Sequence, residues 1–202
     1  MKFKVMAFLV AMAAAVPAFA QQAGPTTDLA KLEGGVFTVD KGHAKILFSY
    51  SHFGYSTSYG LFTDFDAKLT FDPKAPTSST LEATINLDGI ETMVAKLNEH
   101  LKTPDFFDTA KFPSASFKST KITVISPTTG TVTGDLTLHG VTKPVTLDVT
   151  FNGGGTNMAK KYDLGFNATG HVKRSDFGLG AYVPMVGDDI ALTISAEFNR
   201  VQ

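Results

Sequence analysis

Between Ala44 and Phe198 the chain alternates apolar and polar residues in run after run, and this period of two constrains its fold more than any other feature. Successive side chains of a strand point to opposite faces, so such a run builds a sheet with one buried face. Ala44, Ile46, Phe48 and Tyr50 share a face, as do Tyr59, Leu61, Phe65, Leu69 and Phe71, and then Leu81, Ala83, Ile85 and Leu87. Ala115 and Phe117 follow, then Val132, Leu136 and Leu138, then Val145, Leu147, Val149 and Phe151. Tyr162, Leu164, Phe166, Ala168 and Val172 form the next set, and Ile190, Leu192, Ile194, Ala196 and Phe198 the last. Eight strands is a conservative count. Asp72-Pro73, Ser126-Pro127, Gly153-Gly154-Gly155 and Gly187-Asp188-Asp189 fall between runs, where turns belong. Short links make neighbouring strands antiparallel. One segment breaks the rhythm: Met93, Val94, Leu97 and Leu101 recur at helical spacing and Pro104 ends the pattern, which predicts a helix near residues 91–101. The expected fold is all-β, an antiparallel barrel or sandwich with one inserted helix.

Residues 1–20 are set apart from that domain. Lys2 and Lys4 precede an apolar run from Val5 to Val16, Pro17 breaks it, and Ala18-Phe19-Ala20 offers small residues to a signal peptidase. This is the tripartite pattern of a secretory signal peptide, with cleavage expected after Ala20 and export to the periplasm. The run is shorter than the roughly 20 residues a spanning helix needs. Residues 21–33 read as a flexible polar lead-in and residues 34–202 as one β domain. Without Lys2 and Lys4 the exported chain carries 16 basic against 19 acidic side chains, so nothing suggests a nucleic-acid surface. The chain has no cysteine, so an apolar core alone must stabilise it in an oxidising compartment. Seventeen Phe and no Trp supply apolar volume with few hydrogen-bond demands. No exposed basic amphipathic helix argues for attachment to a membrane surface.

The reactive residue types do not assemble into a catalytic signature. His43, His52, His100, His139 and His171 never stand three or four residues apart, so a metal would need ligands from distant strands. There is no Gly-x-Ser-x-Gly elbow and no thiol. Ser175 and Asp176 are sequence neighbours, which point apart on a strand. Asp176-Phe177-Gly178 echoes a kinase motif without any phosphate-binding loop. No enzyme, no cofactor and no metal is the expectation.

Three stretches are informative for another reason. The first runs from Asp40-Lys41-Gly42-His43 through Ile46, Phe48, His52 and Gly54 to Gly60-Leu61-Phe62. The second joins His100-Leu101, Asp105-Phe106-Phe107-Asp108, Lys111-Phe112-Pro113 and Phe117. The third pairs Leu136-Thr137-Leu138-His139-Gly140-Val141-Thr142-Lys143-Pro144 with Arg174-Ser175-Asp176-Phe177-Gly178. In this order they resemble the YceI-like family of periplasmic polyisoprenoid-binding proteins, from about Val36 to Phe198. The resemblance implies a single antiparallel eight-stranded lipocalin-like barrel around an elongated apolar cavity. It implies a long isoprenoid or acyl-type lipid ligand, such as a quinone or polyprenyl compound, and a homodimer. Ala44 and Asn98 depart from the family's usual residues, which puts the grip on a polar headgroup in question rather than the fold.

Candidates for an apolar lining are Phe48, Phe53, Leu61, Phe62, Leu87, Met93, Leu97, Phe106, Phe117, Phe166, Phe177 and Leu179. His43, His52, His100, Arg174 and Asp176 are candidates to hold a headgroup or to tie strand ends together. Periodicity does not distinguish a hollow barrel from a filled one. A carrier of a long apolar molecule leads; a structural or stress-response protein with a solid core and no ligand is the alternative.

Overall fold

The computed structural model describes residues 24–201; the expected signal segment lies outside them. Eleven strands form one antiparallel sheet: β1 Gly35–Val39, β2 Lys45–His52, β3 Ser56–Phe62, β4 Phe65–Phe71, β5 Thr80–Asn86, β6 Ile90–Glu91, β7 Ser114–Val124, β8 Thr129–Leu138, β9 Val141–Thr156, β10 Tyr162–Lys173 and β11 Asp189–Arg200. The order is β1-β4-β5-β7-β8-β9-β10-β11-β2-β3-β6, and β1 also pairs with β11. Those eight strands from β1 to β11 form a closed ring, which removes the exposed edges of an open sheet. β11 pairs with β1 through Phe198 to Arg200 and with β2 through Ala191 to Ser195, so β1 and β2 act as two lengths of one stave. β4 and β3 continue that stave's neighbour in the same way, and β6 lengthens the sheet beyond β3.

These interruptions correct the face assignments read from the sequence. Tyr59 and Leu61 do not share a face with Phe65, Leu69 and Phe71. Thr63 and Asp64 separate β3 from β4, and a shift of one residue turns every following side chain to the other face. In β4 the odd residues from Phe65 to Phe71 are buried, whereas in β3 Gly60 is buried and Tyr59 exposed. A register shift between Ser119 and Lys121 resets β7 likewise, so Ile122 follows Phe117 into the interior.

Among the described residues the single α-helix, α1, is Ala95–Lys102, shorter than the expected span. Residues 91–94 were expected to open it. Instead Ile90 and Glu91 pair with β3, and Met93 has φ of 62°, which no right-handed helix contains. Asn98 explains the break. Its side-chain oxygen accepts from the Thr92 amide at 2.8 Å and hydroxyl at 2.6 Å, and its amide nitrogen donates to Glu91 Oε1 at 3.1 Å. Those bonds hold 91–92 in extended form against the first turn of α1.

The expected lead-in is tied down in its described part. Thr26 bridges to Gly154, Leu32 is buried in the core, and the Tyr162 hydroxyl accepts from the Glu33 amide at 3.0 Å. Leu32 supplies apolar burial that polar composition alone concealed. The packed interior divides into three clusters. Phe37, Phe71, Phe151, Leu164 and Phe198 close the end nearest this segment; Phe117, Val132, Leu147, Phe177 and Leu179 pack one wall; Phe48 and Ile90 pack with Leu101 of α1.

Candidate functional site

Between those clusters the barrel is hollow. An elongated cavity of about 610 Å³ runs inside the strands from α1 to the β7–β8 hairpin. This volume lies within the usual range of small-molecule sites. Its wall is made of the inward residues of nearly every stave, among them Ile46, Leu69, Ile85, Val145, Leu192 and Phe198. Small side chains keep it open: Ala67, Ala83, Ala115, Ala168 and Ala196 all stand on the wall. Gly60 and Gly134 do the same indirectly. A Cβ at Gly60 would lie 2.3 Å from the Phe48 ring, and one at Gly134 would lie 2.4 Å from the Phe117 ring, so both rings lie back against backbone. A solid core, one alternative left open by the sequence, is not what these residues build.

Eight of the candidate lining residues face this space: Phe48, Phe62, Leu87, Leu97, Phe106, Phe117, Phe166 and Leu179. Four do not. Leu61 points outward because of the β3–β4 break, and Met93 is displaced by the turn before α1 and is 79% exposed. Phe53 occupies the tip of the β2–β3 hairpin, with Gly54 beside it at positive φ. Phe177 is buried, but it packs within the wall cluster of Val145 and Leu147 and outside the cavity lining. Many residues that do line the cavity, such as Tyr50, Leu81 and Tyr182, were not singled out from sequence. For Tyr50 and Leu81 the signal was their place in the alternating runs; Tyr182 is in a loop and gave none.

The polar candidates separate similarly. His52, His100 and Arg174 reach the cavity; His43 and Asp176 do not. His43 lies on the outside of the barrel, where Nδ1 meets Asp40 Oδ2 at 3.2 Å. That hydrogen bond, reinforced by the charges of Asp40 and Glu197, raises the imidazole above its ordinary value, and His43 lowers Asp40 in return. Asp176 is exposed, and the neighbouring carboxylate role falls to Asp188, which accepts from the Ser175 amide at 2.8 Å and hydroxyl at 2.7 Å. Burial opposes the charge on Asp188, but the Ser175 bonds, with Arg174 and Lys173 nearby, hold it below the ordinary carboxylate value.

Arg174 is the buried cation of the cavity wall. Its guanidinium donates to the carbonyls of Gly187 at 2.9 Å and Val186 at 2.8 Å, and to that of Leu179. Three carbonyls from the 178–188 loop thus converge on one planar fork, a geometry lysine cannot copy. Burial lowers its pKa, with Asp188 and Tyr50 opposing. The Leu138-His139-Gly140 and Arg174 to Gly178 motifs meet here. His139 Nδ1 lies 3.2 Å from the Phe177 carbonyl, its ring stands edge-on to Phe112, and a Cβ on Gly178 would meet His139. Both motifs brace one end of the barrel.

At that end α1 covers the cavity with Leu97, His100 and Leu101, and Phe106 and Tyr182 stack at 6.0 Å beside His100. His100 Nε2 lies 3.5 Å from Asp105. At the opposite reach, around the β7–β8 hairpin, Thr123, Ser126, Thr128 and Thr129 border the space. Among the described residues no group of three or more His, Asp or Glu side chains could hold a metal ion, and no helix is long and apolar enough to cross a membrane.

Residues 37–198 match the YceI-like domain. Protein YceI of Escherichia coli O157:H7 is 39% identical over 163 residues, covering 80% of this chain and 85% of the relative. The crystal structure of the Campylobacter jejuni YCEI protein superposes with a TM-score of 0.68 at 32% identity, covering 75% of this chain and 90% of the other. A polyisoprenoid binding domain from Saccharophagus degradans, implicated in plant cell wall breakdown, shares the fold with a TM-score of 0.57 at 13% identity, covering 84% of this chain and all of that domain.

Proposed function

The chain belongs to the YceI-like domain family, and on that premise we propose that it is a non-enzymatic binding protein that sequesters a long apolar tail inside its barrel. The observation that carries this reading is the cavity itself: elongated, walled by Phe, Leu, Ile and Ala, and large enough at about 610 Å³ for roughly twenty methylene-sized groups, each comparable to a water's share of liquid. Each CH₂ withdrawn from water contributes about 0.8 kcal/mol, so a tail that fills the space gains far more than a short one. Ordering the tail and fixing the ligand subtract several kcal/mol, which leaves short tails bound weakly. Such a wall selects length and apolarity and is indifferent to identity.

The polyisoprenoid binding stated for the Saccharophagus domain supports an isoprenoid or comparable acyl-type amphiphile as the cargo class. His52, Ser58, His100 and Tyr182, at the α1 end of the wall, are the groups able to meet a polar head. The tripartite pattern of residues 1–20 supports export, removal after Ala20 and work in the periplasm. We carry the homodimer implied by the resemblance as part of the same reading.

The test is gentle mass spectrometry of protein purified from its own cells, with mass spectrometry of an organic extract alongside. A discrete, near-stoichiometric adduct that extracts as a long-tailed lipid is the expected result. An apo mass, with no rise in melting temperature on adding quinones, polyprenols or long-chain amides, overturns the reading. The same spectra give the mass of the assembly.

A further inference from the structure

The end of the barrel covered by α1 carries an apolar frame that packing does not explain. Three segments build it. The β2–β3 hairpin presents Phe53 and Tyr55, the segment entering α1 presents Met93 and Val94, and the 178–188 loop presents Tyr182, Val183 and Met185; all seven are exposed, Tyr55 by 92%. The hairpin and the loop are fastened together: the Phe53 amide donates to the Met185 carbonyl at 2.7 Å and the Gly187 amide to the Ser51 carbonyl at 2.8 Å. Tyr182 in turn stacks on Phe106 and lies edge-on to His100, which joins the loop to the helix that roofs the cavity. The frame is therefore continuous with the cavity wall through His52, Phe106, Tyr182 and Val186.

The backbone is left-handed at three of the seven. Among the described residues six non-glycine residues have positive φ, and Phe53, Met93 and Tyr182 are three of them, at 53°, 62° and 64°. Left-handed positions favour Gly, Asn or Asp, and a bulky residue there is an outlier. Phe53-Gly54 fills the two turn positions of a tight hairpin that Asn-Gly would fill with less strain. Strain of this kind collects at functional sites. The far end lacks such a frame. Val124 and Ile125 stand on one hairpin and Met158 on another, and hydroxyls border the cavity between.

We propose that this frame is a docking surface for a lipid bilayer, through which the barrel exchanges its cargo without passing it through water. The proposal rests on the reading of the cavity as a lipid site, and that reading names the occupant. A tail long enough to fill the cavity is resident in a bilayer, and each of its methylenes exposed in transit costs about fourfold in rate. Seating this end of the barrel on the membrane removes that barrier. Tyr and other side chains with one apolar and one polar end suit the interfacial layer. The frame's own seven side chains carry no formal charge, so its hold is apolar and does not require anionic lipid.

The experiment uses phosphatidylcholine vesicles, with and without phosphatidylglycerol, and a pyrene-labelled long-chain alcohol as the cargo probe. The chain has no Trp, so Tyr55→Trp is a single reporter. Its emission should shift to the blue on phosphatidylcholine vesicles and stay shifted in high salt. Transfer of the probe from protein to vesicles should speed up with vesicle concentration, the mark of collision. The triple variant Tyr55→Ser, Met93→Ser, Met185→Ser should bind the probe as before without vesicles, yet lose about tenfold in vesicle partitioning for each apolar side chain withdrawn. An unshifted Trp, with transfer independent of vesicle concentration, overturns docking while probe binding still upholds the carrier reading. Failure to bind the probe sinks the carrier reading instead, and the Trp shift then tests docking by itself. A frame found buried between two copies in solution, released as monomer by the triple variant, also overturns the proposal.

Discussion

Gly60 and Gly134 lie directly behind the rings of Phe48 and Phe117, and a side chain at either position has nowhere to go except through an aromatic ring. Gly60→Val should push Phe48 into the cavity, at a cost of about 1–3 kcal/mol from overpacking and with loss of capacity for long tails. Denaturant unfolding and probe binding of the variant measure the two effects. Arg174 makes the opposite prediction, damage to the brace. Arg174→Met leaves three carbonyls of the 178–188 loop without their donor, at about 1–3 kcal/mol for each that water does not reach. Urea unfolding should show a lower midpoint with an unchanged slope. His43 offers a pH-dependent case. Its folded pKa is raised by Asp40, so the pair's contribution is full below the ordinary imidazole value of 6.5 and fades as pH rises through the folded value. Asp40 is lowered, so its share is present above the ordinary 3.8 and is lost as acid carries it through its folded value. The His43 ring protons should titrate above 6.5 in the natural chain and return toward it in Asp40→Asn; an unmoved midpoint would refute the pair.

Strand elements were legible wherever alternation ran unbroken, as in β9 and β11, because burial of one face imposes the period directly. The face of β3 was not legible, since the parity change at Thr63 and Asp64 depends on a link whose conformation no local pattern reveals. For that reason Leu61, one of the lining candidates, turns outward, while its neighbour Phe62 lines the cavity. The start of α1 was misplaced because Met93 and Val94 fit a helical stripe, while the determinant is tertiary, the bonds from Asn98 to Thr92 and Glu91. Asn98, first noted as a departure that bears on the headgroup, fastens the roof of the cavity. Asn98→Ala should release that clasp, and hydrogen exchange should speed up across 92–102 while strands β7 to β11 keep their protection. Equal exchange in both proteins would mean that the clasp contributes nothing to the roof.

At the scale of the molecule, closure of eight staves solves the edge problem, and alternation of Phe with Ala along the inner wall decides that the closed barrel stays hollow. That second choice was invisible in the period of the sequence, which scores Ala and Phe alike as inward; the family motifs conveyed it only by resemblance. The third pair of motifs turns out to brace one end, through His139, Arg174 and Gly178, whereas the first two supply cavity-wall residues such as Phe48 and Phe106, and other parts of the wall came from unremarkable positions such as Ala168 and Ala196. The double variant Ala168→Leu, Ala196→Leu should fill part of the cavity, keep or raise the melting temperature, and abolish uptake of long tails. The most direct measurement is the affinity of a homologous series of straight-chain alcohols, read by displacement of the pyrene probe. The account predicts that each added CH₂ tightens binding by about fourfold until the chain approaches roughly twenty groups, and that affinity then levels off. Affinity that ignores tail length, or no displacement at any length, would contradict it.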